Sequence, residues 1–291
     1  MGSTAHVVVI VDRPDRAVDL MRVATATIAS LERRWSRFLP DSDISRINAH
    51  PDVPVQVHGS TVELVGRSVD AWSQTGGVFN PTVGTSLVAA GYDRPFAELA
   101  PLTIGNRLPA PSPAGVEIHQ VSQTVMVPSG TTLDLGGIGK GAAADHTVAV
   151  LLAAGARAAL VNLGGDLRAE GECPDNGWEV ILDCPGSPET RTIRIAAGAV
   201  CTSSTTKRRW QTIDGERHHI IEPDSGTSTE SDLCTATVVG AEAAQCEVLA
   251  TSAVALGRHD GHDLLERHHT SGLLVDHGGD VHDVGAIGDF R

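Results

Sequence analysis

The spacing of apolar residues changes along this chain, and the order of those changes constrains the fold more than any other feature. Over about residues 14–35 and again over about 61–74, apolar residues recur every three or four positions, which predicts two amphipathic helices. Later helices are predicted only at about 141–154 and 241–256. The short apolar segments typical of strands come in clusters rather than alternating with helices. This order favours an α+β fold over a doubly wound sheet.

The predicted strands begin at the N-terminus and continue to the C-terminal region. Single strands are predicted at residues 6–11, 156–171, 178–185, 191–200 and 235–240, and one more is predicted directly before His218. Two hairpins are predicted over 115–128 and 271–285. A proline-rich stretch, residues 93–115, shows little periodicity, and we interpret it as a surface connection.

Composition excludes several classes of protein. Only 3% of residues are aromatic, so the core must be built mainly from Ala, Val, Leu and Ile. A formal net charge of −14 argues against nucleic acid as the main partner. The five cysteines form no CxxC pair, and no apolar run is long enough for membrane insertion. The first apolar stretch has no basic region before it, so we expect a strand rather than a signal peptide, and a cytoplasmic protein.

The segment "TTLDLGGIGKGAAAD", residues 131–145, places one lysine at the start of a predicted helix. A glycine-rich turn before a helix exposes backbone N–H groups at the positive end of the helix dipole, and Lys140 adds a full charge. The segment lacks the residue order of a Walker A loop and of a Rossmann fingerprint. It is compatible with an anion site, but the loop alone favours an ordinary strand-to-helix turn with a solvent-facing lysine.

The segment "QCEVLATS" puts Glu247 and Thr251 four residues apart in the predicted helix at 241–256. A carboxylate and a hydroxyl on one helix face are oxygen ligands of the kind that Mg²⁺ prefers. The alternative is an exposed glutamate beside a threonine bonded to its own helix.

Two further segments hold candidate site residues. In "RHHIIEPDSG", His218 or His219 could carry a proton, or the pair could simply lie at the end of a strand. Asn48 in "DSDISRIN" suits a capping turn or a ligand edge.

Taken in order, these segments resemble the FAD:protein FMN transferase (ApbE) family. The resemblance is carried by "WSRFLPDSDISRIN", "TGGVFNPTVG", "LDLGGIGKGAAAD", "VNLGGDLRAEG", "TSSTTKRRW", "HHIIEPDSG" and "CEVLATSAVALG", and it extends from Met1 to about residue 275. It implies an α+β fold of the ApbE type, also called T-fold-like, with mixed sheets and packed helices. We expect residues 1–291 to form one flavin transferase region, which can divide into two subdomains with the active site between them.

The resemblance also implies a reaction. Such enzymes bind FAD with Mg²⁺, cleave its diphosphate, attach FMN through a phosphoester to a Thr or Ser of a target protein, and release AMP. By position, Lys140 is similar to a lysine beside the diphosphate, and His219 to a histidine that takes part in the transfer. The implied metal ligands are the carbonyl of Gly137, Glu247 and Thr251. The residues implied to hold the flavin nucleotide are Met1, Asn48, Val78, Phe79, Asn80, Asp134, Lys140, His219 and Ile221.

This sequence departs from the family pattern in several places. The metal carboxylate is usually an aspartate in the family, whereas position 247 is a glutamate, and "FNP" and "IIEP" stand where "FDP" and "IIDP" are commoner. Two alternatives to the transferase therefore stay open. One is an FAD pyrophosphatase, in which water replaces the acceptor hydroxyl, and the other is a non-catalytic FAD-binding protein.

Overall fold

A computed structural model of the chain describes residues 3–188 and 190–290. Within these residues there are seven α-helices: α1 (Pro14–Trp35), α2 (Asp43–Ala49), α3 (Gly59–Gln74), α4 (Gly84–Ala89), α5 (Gly139–Ala153), α6 (Ala243–Leu256) and α7 (Arg258–Arg267). Three short 3-10 turns lie at Phe96–Glu98, Pro113–Gly115 and Ile287–Asp289.

The same residues form sixteen strands. They are β1 (Ala5–Ile10), β2 (Val55–Gln56), β3 (Glu117–His119), β4 (Thr124–Met126), β5 (Ala158–Leu163), β6 (Asp166–Gly171), β7 (Trp178–Leu182), β8 (Arg191–Ile195), β9 (Gly198–Ser204), β10 (Arg209–Thr212), β11 (Gly215–His218), β12 (Ile221–Glu222), β13 (Thr227–Ser228), β14 (Leu233–Gly240), β15 (Ser271–Asp276) and β16 (Val281–Val284).

The chain divides into two units. The first comprises Glu32–Gly137 and Thr205–Glu230, and the second comprises Ser3–Leu31, Ile138–Ser204 and the chain from Ser231 onward.

The second unit is built on a seven-stranded antiparallel sheet in the order β1-β5-β6-β9-β14-β15-β16. Helix α5 packs on β5 and β6, α6 packs on β9 and β14, and α5 and α6 also pack on each other. Alternate strand residues, including Leu167 and Val200, join a core with Trp178 and Ile193 of the β7–β8 hairpin. Because side chains alternate across a sheet, the neighbours of these residues point the opposite way, and Cys201 donates to the α6 carbonyl of Ala243.

The first unit combines helices α2, α3 and α4 with three small sheets, β2-β4-β3, β10-β11 and β12-β13. Its buried cluster contains Leu87, Ala90, Tyr92, Trp210 and Ile221. Four of the nine aromatic residues of the chain (four Trp, one Tyr and four Phe) contact one another here. The rings of Phe38, Phe96 and Trp210 lie 5.6, 6.4 and 5.3 Å from that of Tyr92. Although aromatic residues are scarce in this chain, three rings therefore pack around Tyr92 in this unit.

The α+β prediction is confirmed, and so are the four predicted helices, which correspond to α1, α3, α5 and α6. Three further helices, α2, α4 and α7, were not predicted, and the segment 156–171 is a hairpin rather than one strand. Residues 93–115 form backbone hydrogen bonds to other segments of the first unit. The N–H groups of Thr103, Asn106 and Ala110 donate to the carbonyls of Gln211, Ala89 and Pro223 at 3.0, 2.6 and 2.8 Å. No helix within the described part of the chain combines the length and apolar character needed to cross a membrane.

Candidate active site

Lys140 is the second residue of α5, and its side chain is 17% exposed. Its ammonium donates to Oδ2 of Asp166 at 2.5 Å and to Oε1 of Glu247. The lysine therefore does not face solvent, and the interpretation of this segment as an ordinary turn with an exposed lysine is wrong. One cation lies between two carboxylates from separate elements, β6 and α6.

Glu247 lies on α6 with a side chain that is 1% exposed, so the alternative of an exposed glutamate is also wrong. Its second oxygen, Oε2, accepts the backbone N–H of Gly141 at 2.8 Å. This N–H belongs to the first turn of α5, where backbone donors have no partner within their own helix. Both oxygens of Glu247 are thus held by consecutive residues of α5.

The close approach of α5 and α6 depends on glycine at position 141. A Cβ atom there would lie 2.3 Å from the carbonyl oxygen of Ala243. Asp145, one turn further along α5, accepts the N–H groups of Ala243 and Ala244 at 2.9 and 3.0 Å and so caps the first turn of α6. Arg168 lies 3.3 Å from the Asp145 carboxylate. Helix α5 therefore fixes the position of α6 and, with it, that of Glu247.

Asp166 is the first residue of β6 and follows a tight turn at Gly164 and Gly165, which have φ angles of 67° and 107°. These angles lie in the region that favours glycine. Asp166 is 1% exposed, and its Oδ2 accepts from Lys140. Its Oδ1 is buried and has no hydrogen-bond partner among the residues that the structure describes. One buried acceptor is therefore available for a further donor or cation.

The cluster of Lys140, Asp166 and Glu247 carries one excess negative charge when all three groups are ionised. Burial raises the pKa of Glu247 to about 8, and the charge of Asp166 adds to this effect while Lys140 opposes it. Burial also acts to lower the pKa of Lys140, but the two carboxylates outweigh it, and the net pKa lies above 10.5. Lys140 thus stays charged, and the unbalanced charge belongs to the carboxylates.

Thr251 lies one turn beyond Glu247 on α6, and its hydroxyl is 2.8 Å from that of Ser203 on β9. Glu247, Thr251 and Asp166 present hard oxygen donors, two of them from carboxyl groups. The Oδ1 of Asp166, which has no hydrogen-bond partner among the described residues, adds one more acceptor. This donor set fits a divalent cation such as Mg²⁺.

In the first unit, three of the predicted nucleotide residues are held by neighbouring backbone. The side-chain amide of Asn48 accepts the N–H of Leu133 at 2.8 Å and donates to its carbonyl at 3.0 Å. The N–H of Asp134 donates to the carbonyl of Pro81, next to Asn80, at 2.8 Å. Asn80 accepts the N–H of Thr82 at 2.9 Å. These contacts bring Asn48, Asn80 and Asp134 together.

Asp134 also forms a partly enclosed ion pair. Its Oδ2 is 2.5 Å from Nε of Arg37, with side chains that are 12% and 7% exposed, and its Oδ1 accepts the N–H of Gly136 at 2.6 Å. The Arg37 guanidinium lies over the ring of Phe38, 4.1 Å from its centroid. Both oxygens of Asp134 are therefore engaged within the unit.

The remaining predicted residues occupy varied environments. Phe79 and Ile221 are buried, whereas Val78 and His219 are partly buried, and His219 directly follows β11. The neighbouring His218 is buried, and its Nε2 lies 3.0 Å from the carbonyl oxygen of Thr229. Gly137 lies in the turn before α5. Met1 lies outside the described residues.

Sequence reasoning missed three members of this arrangement: Asp166, Asp145 and Ser203. The first follows the glycine pair of "VNLGGDLRAEG", a position where a buried strand begins and where an acidic side chain is unusual. Asp145 ends the segment quoted for Lys140, one turn along the same helix. Ser203 lies in a run of hydroxyl residues that gave no signal to distinguish it.

Comparison with known proteins gives a consistent picture. A sequence model of the ApbE family matches residues 1–282. The FAD:protein FMN transferase of Treponema pallidum is 30% identical over 238 residues, covering 75% of this chain and 66% of that relative, and the one of Haemophilus influenzae is 22% identical, covering 94% and 84%. The crystal structure of the ApbE protein from Thermotoga maritima superposes with a TM-score of 0.88 at 23% identity, covering 99% of this chain and 96% of that one. At this identity the structural likeness shows the fold alone.

Proposed function

Because this chain belongs to the ApbE family, we propose that it is an FAD:protein FMN transferase. In this reaction the hydroxyl oxygen of an acceptor Thr or Ser attacks the FMN-side phosphorus of FAD. A phosphoester bond forms, the bond between the FMN-side phosphorus and the bridging oxygen breaks, and AMP leaves with that oxygen. The relatives named above carry this activity in their names. The observation that carries the proposal is the Lys140 ammonium, held between two buried carboxylates at the first turn of α5.

The oxygen donors described above support a requirement for Mg²⁺. Glu247, Thr251 and the carbonyl of Gly137 would hold the ion. When bound, it would neutralise charge on the diphosphate oxygens and make AMP a better leaving group. Glutamate in place of the family's usual aspartate suits this position, because its extra length lets the carboxylate reach both Lys140 and the N–H of Gly141.

The chain's own residues have three tasks in this proposal. Lys140 and the positive end of the α5 dipole bind the diphosphate. His219 takes the proton from the acceptor hydroxyl. Residues of the first unit hold the flavin nucleotide: Asn48, Val78, Phe79, Asn80, Asp134 and Ile221, together with Met1. Since Asn48, Asn80 and Asp134 are pinned by backbone contacts, they would orient the nucleotide without reorganising, which is how alignment accelerates phosphoryl transfer.

The test is a flavinylation assay. The protein is mixed with FAD, Mg²⁺ and a panel of candidate acceptor proteins, and a fluorescent protein band and released AMP are measured. We expect both products, and we expect Lys140→Met to lower the rate on the order of 10²–10³-fold because diphosphate charge is left uncompensated. Lys207→Met is the matched control, since Lys207 is the other lysine of the chain and is exposed.

Other outcomes would replace the proposal. Free FMN and AMP without a labelled protein would indicate an FAD pyrophosphatase. Equal FAD binding with and without Mg²⁺, together with no effect of Glu247→Ala on binding, would indicate a non-catalytic FAD-binding protein.

A further inference from the structure

The two carboxylates around Lys140 are used unequally. Both oxygens of Glu247 are occupied, Oε1 by the Lys140 ammonium and Oε2 by the N–H of Gly141. Asp166 gives only Oδ2 to the lysine, and its Oδ1 is buried without a partner within residues 3–188 and 190–290. The lysine thus occupies the carboxylate that we assign to the cation, while the other carboxylate has spare capacity.

We propose that Lys140 is the resident counter-ion of this site. In the absence of a divalent cation its ammonium pairs with both carboxylates. When Glu247 binds a divalent cation instead, the ammonium stays paired with Asp166. This inference rests on the proposed function. It makes Asp166 a positioning residue, which acts through Lys140 rather than by touching FAD.

Charge and burial support this exchange. An ammonium and a divalent cation repel each other, so they cannot share Oε1 of Glu247 in a site where water screens little. An ammonium that lost both carboxylates would be a buried charge without a partner, which is costly. The Oδ1 of Asp166, unpartnered within the part of the chain that the structure describes, avoids this cost, because it offers the ammonium a second acceptor when the contact with Glu247 is lost.

The exchange also changes the charge of the site. With the lysine alone, the three groups carry no excess positive charge, so they do not attract a diphosphate. With a divalent cation present and Lys140 kept on Asp166, the same groups carry one positive charge. A site that retained its lysine would therefore be prepared for a polyanionic ligand before that ligand arrives.

The test measures cation affinity without FAD. Mn²⁺ binding, followed by its electron paramagnetic resonance signal, is compared for wild type, Lys140→Met, Asp166→Asn and the double variant. We expect Lys140→Met to bind Mn²⁺ about tenfold more tightly, because the competing ammonium is gone. We expect Asp166→Asn to weaken binding about tenfold when Lys140 is present and about threefold or less in the Lys140→Met background.

Two results would overturn the inference. One is Mn²⁺ affinity in Lys140→Met that is no higher than in wild type. The other is an equal loss from Asp166→Asn in both backgrounds, since a residue that merely adds negative potential would act independently of the lysine. If Lys140→Met does not fold even with Mn²⁺, Lys140→Gln replaces it, because its amide still donates to a carboxylate. Lys207→Met is the control for a general change of charge.

Failure here differs from failure of the proposed function. If transfer requires Mg²⁺ and Glu247→Gln abolishes Mn²⁺ binding, but the lysine variants show no competition, the transferase stands and the exchange is wrong. If Glu247→Gln binds Mn²⁺ as wild type does, the cation does not use Glu247, and the proposed metal site and the exchange are both wrong.

Discussion

Tyr92 is the chain's single tyrosine, and its ring is buried in the first unit beside Phe38 and Trp210. Burial raises the pKa of this phenol above 10.0, although the charges of Arg208 and Arg37 act to lower it. A group whose pKa is higher in the folded than in the unfolded state stabilises the fold below the unfolded value. This contribution is lost as the pH rises from about 10 through the folded value.

We therefore predict that the native protein forms phenolate only at a pH above 10, and that its free energy of unfolding falls over that range. The absorbance of phenolate at about 295 nm reports Tyr92 alone, because the chain has no second tyrosine. Tyr92→Phe should remove the signal and flatten the fall in stability between pH 10 and 11. A native titration midpoint at or below 10 would show that the arginines, not burial, control this group.

The residues of the site differ in how far the sequence could identify them. Lys140 was found because one lysine in a glycine-rich turn is conspicuous, and Glu247 and Thr251 because helical spacing places them on one face. Asp166 could not be assigned to the same cluster, since its contact with Lys140 bridges 26 positions and depends on how β6 packs under α5. Spacing reveals neighbours on one element but not between elements.

At the scale of the helices, the contact between α5 and α6 depends on Gly141. An added Cβ would lie 2.3 Å from the Ala243 carbonyl oxygen, which is backbone and cannot rotate away. We predict that Gly141→Ala lowers the free energy of unfolding by about 3 kcal/mol, the upper end of what overpacking costs, because the added methyl group forces the helices apart. Chemical denaturation measures the change.

Gly66→Ala is the matched control, since Gly66 lies inside helix α3 and, beyond its chain neighbours and the nearby backbone of its own helix, no described atom lies within 4 Å of the added Cβ. There the same substitution should stabilise the protein by about 0.5–1 kcal/mol through helix propensity. Equal effects at the two positions would contradict the role assigned to the helix contact.

The predicted helices show where periodicity succeeds. Helix α1 has one apolar face, and the predicted and observed boundaries agree. The short α2 begins at a capping serine, whose side chain accepts the N–H of Ser45, and it was predicted only as a turn. Helix α7 is strongly polar, "RHDGHDLLER", and packs through only a few buried residues, so its sequence gives little apolar signal. Its helical structure depends on packing against α6 and β15.

At the scale of the whole molecule, the cation should change stability. A ligand that binds only the folded state adds about 2.7 kcal/mol at one hundred times its dissociation constant. For a chain of this size that corresponds to a rise in Tm of roughly 5–10 °C. We predict this rise on adding Mg²⁺ to protein treated with a chelator, measured by calorimetry, and its absence in Glu247→Gln. A rise of the same size in that variant would place the ion elsewhere.

Fold class was predictable because clusters of strands and separate helical segments are visible in the order of apolar spacings. The order of the strands in the sheet was not predictable from the sequence. Strand β9 lies between β6 and β14, and β1 pairs with β5 across about 150 positions, pairings that no local pattern records. The division into two units was open for the same reason, since each unit is assembled from separated parts of the chain.

The hydrogen bonds from Asp145 to the start of α6, and from Glu247 back to α5, limit which substitutions this pair of helices can tolerate. Positions 141, 145, 243, 244 and 247 form one packed and hydrogen-bonded block, although about a hundred residues separate its halves. A bulkier residue at 141 would push α6 outward and withdraw the carboxylate from the lysine. A destabilising substitution at position 141 should therefore be rescued only by a second substitution that lets α6 move back towards α5.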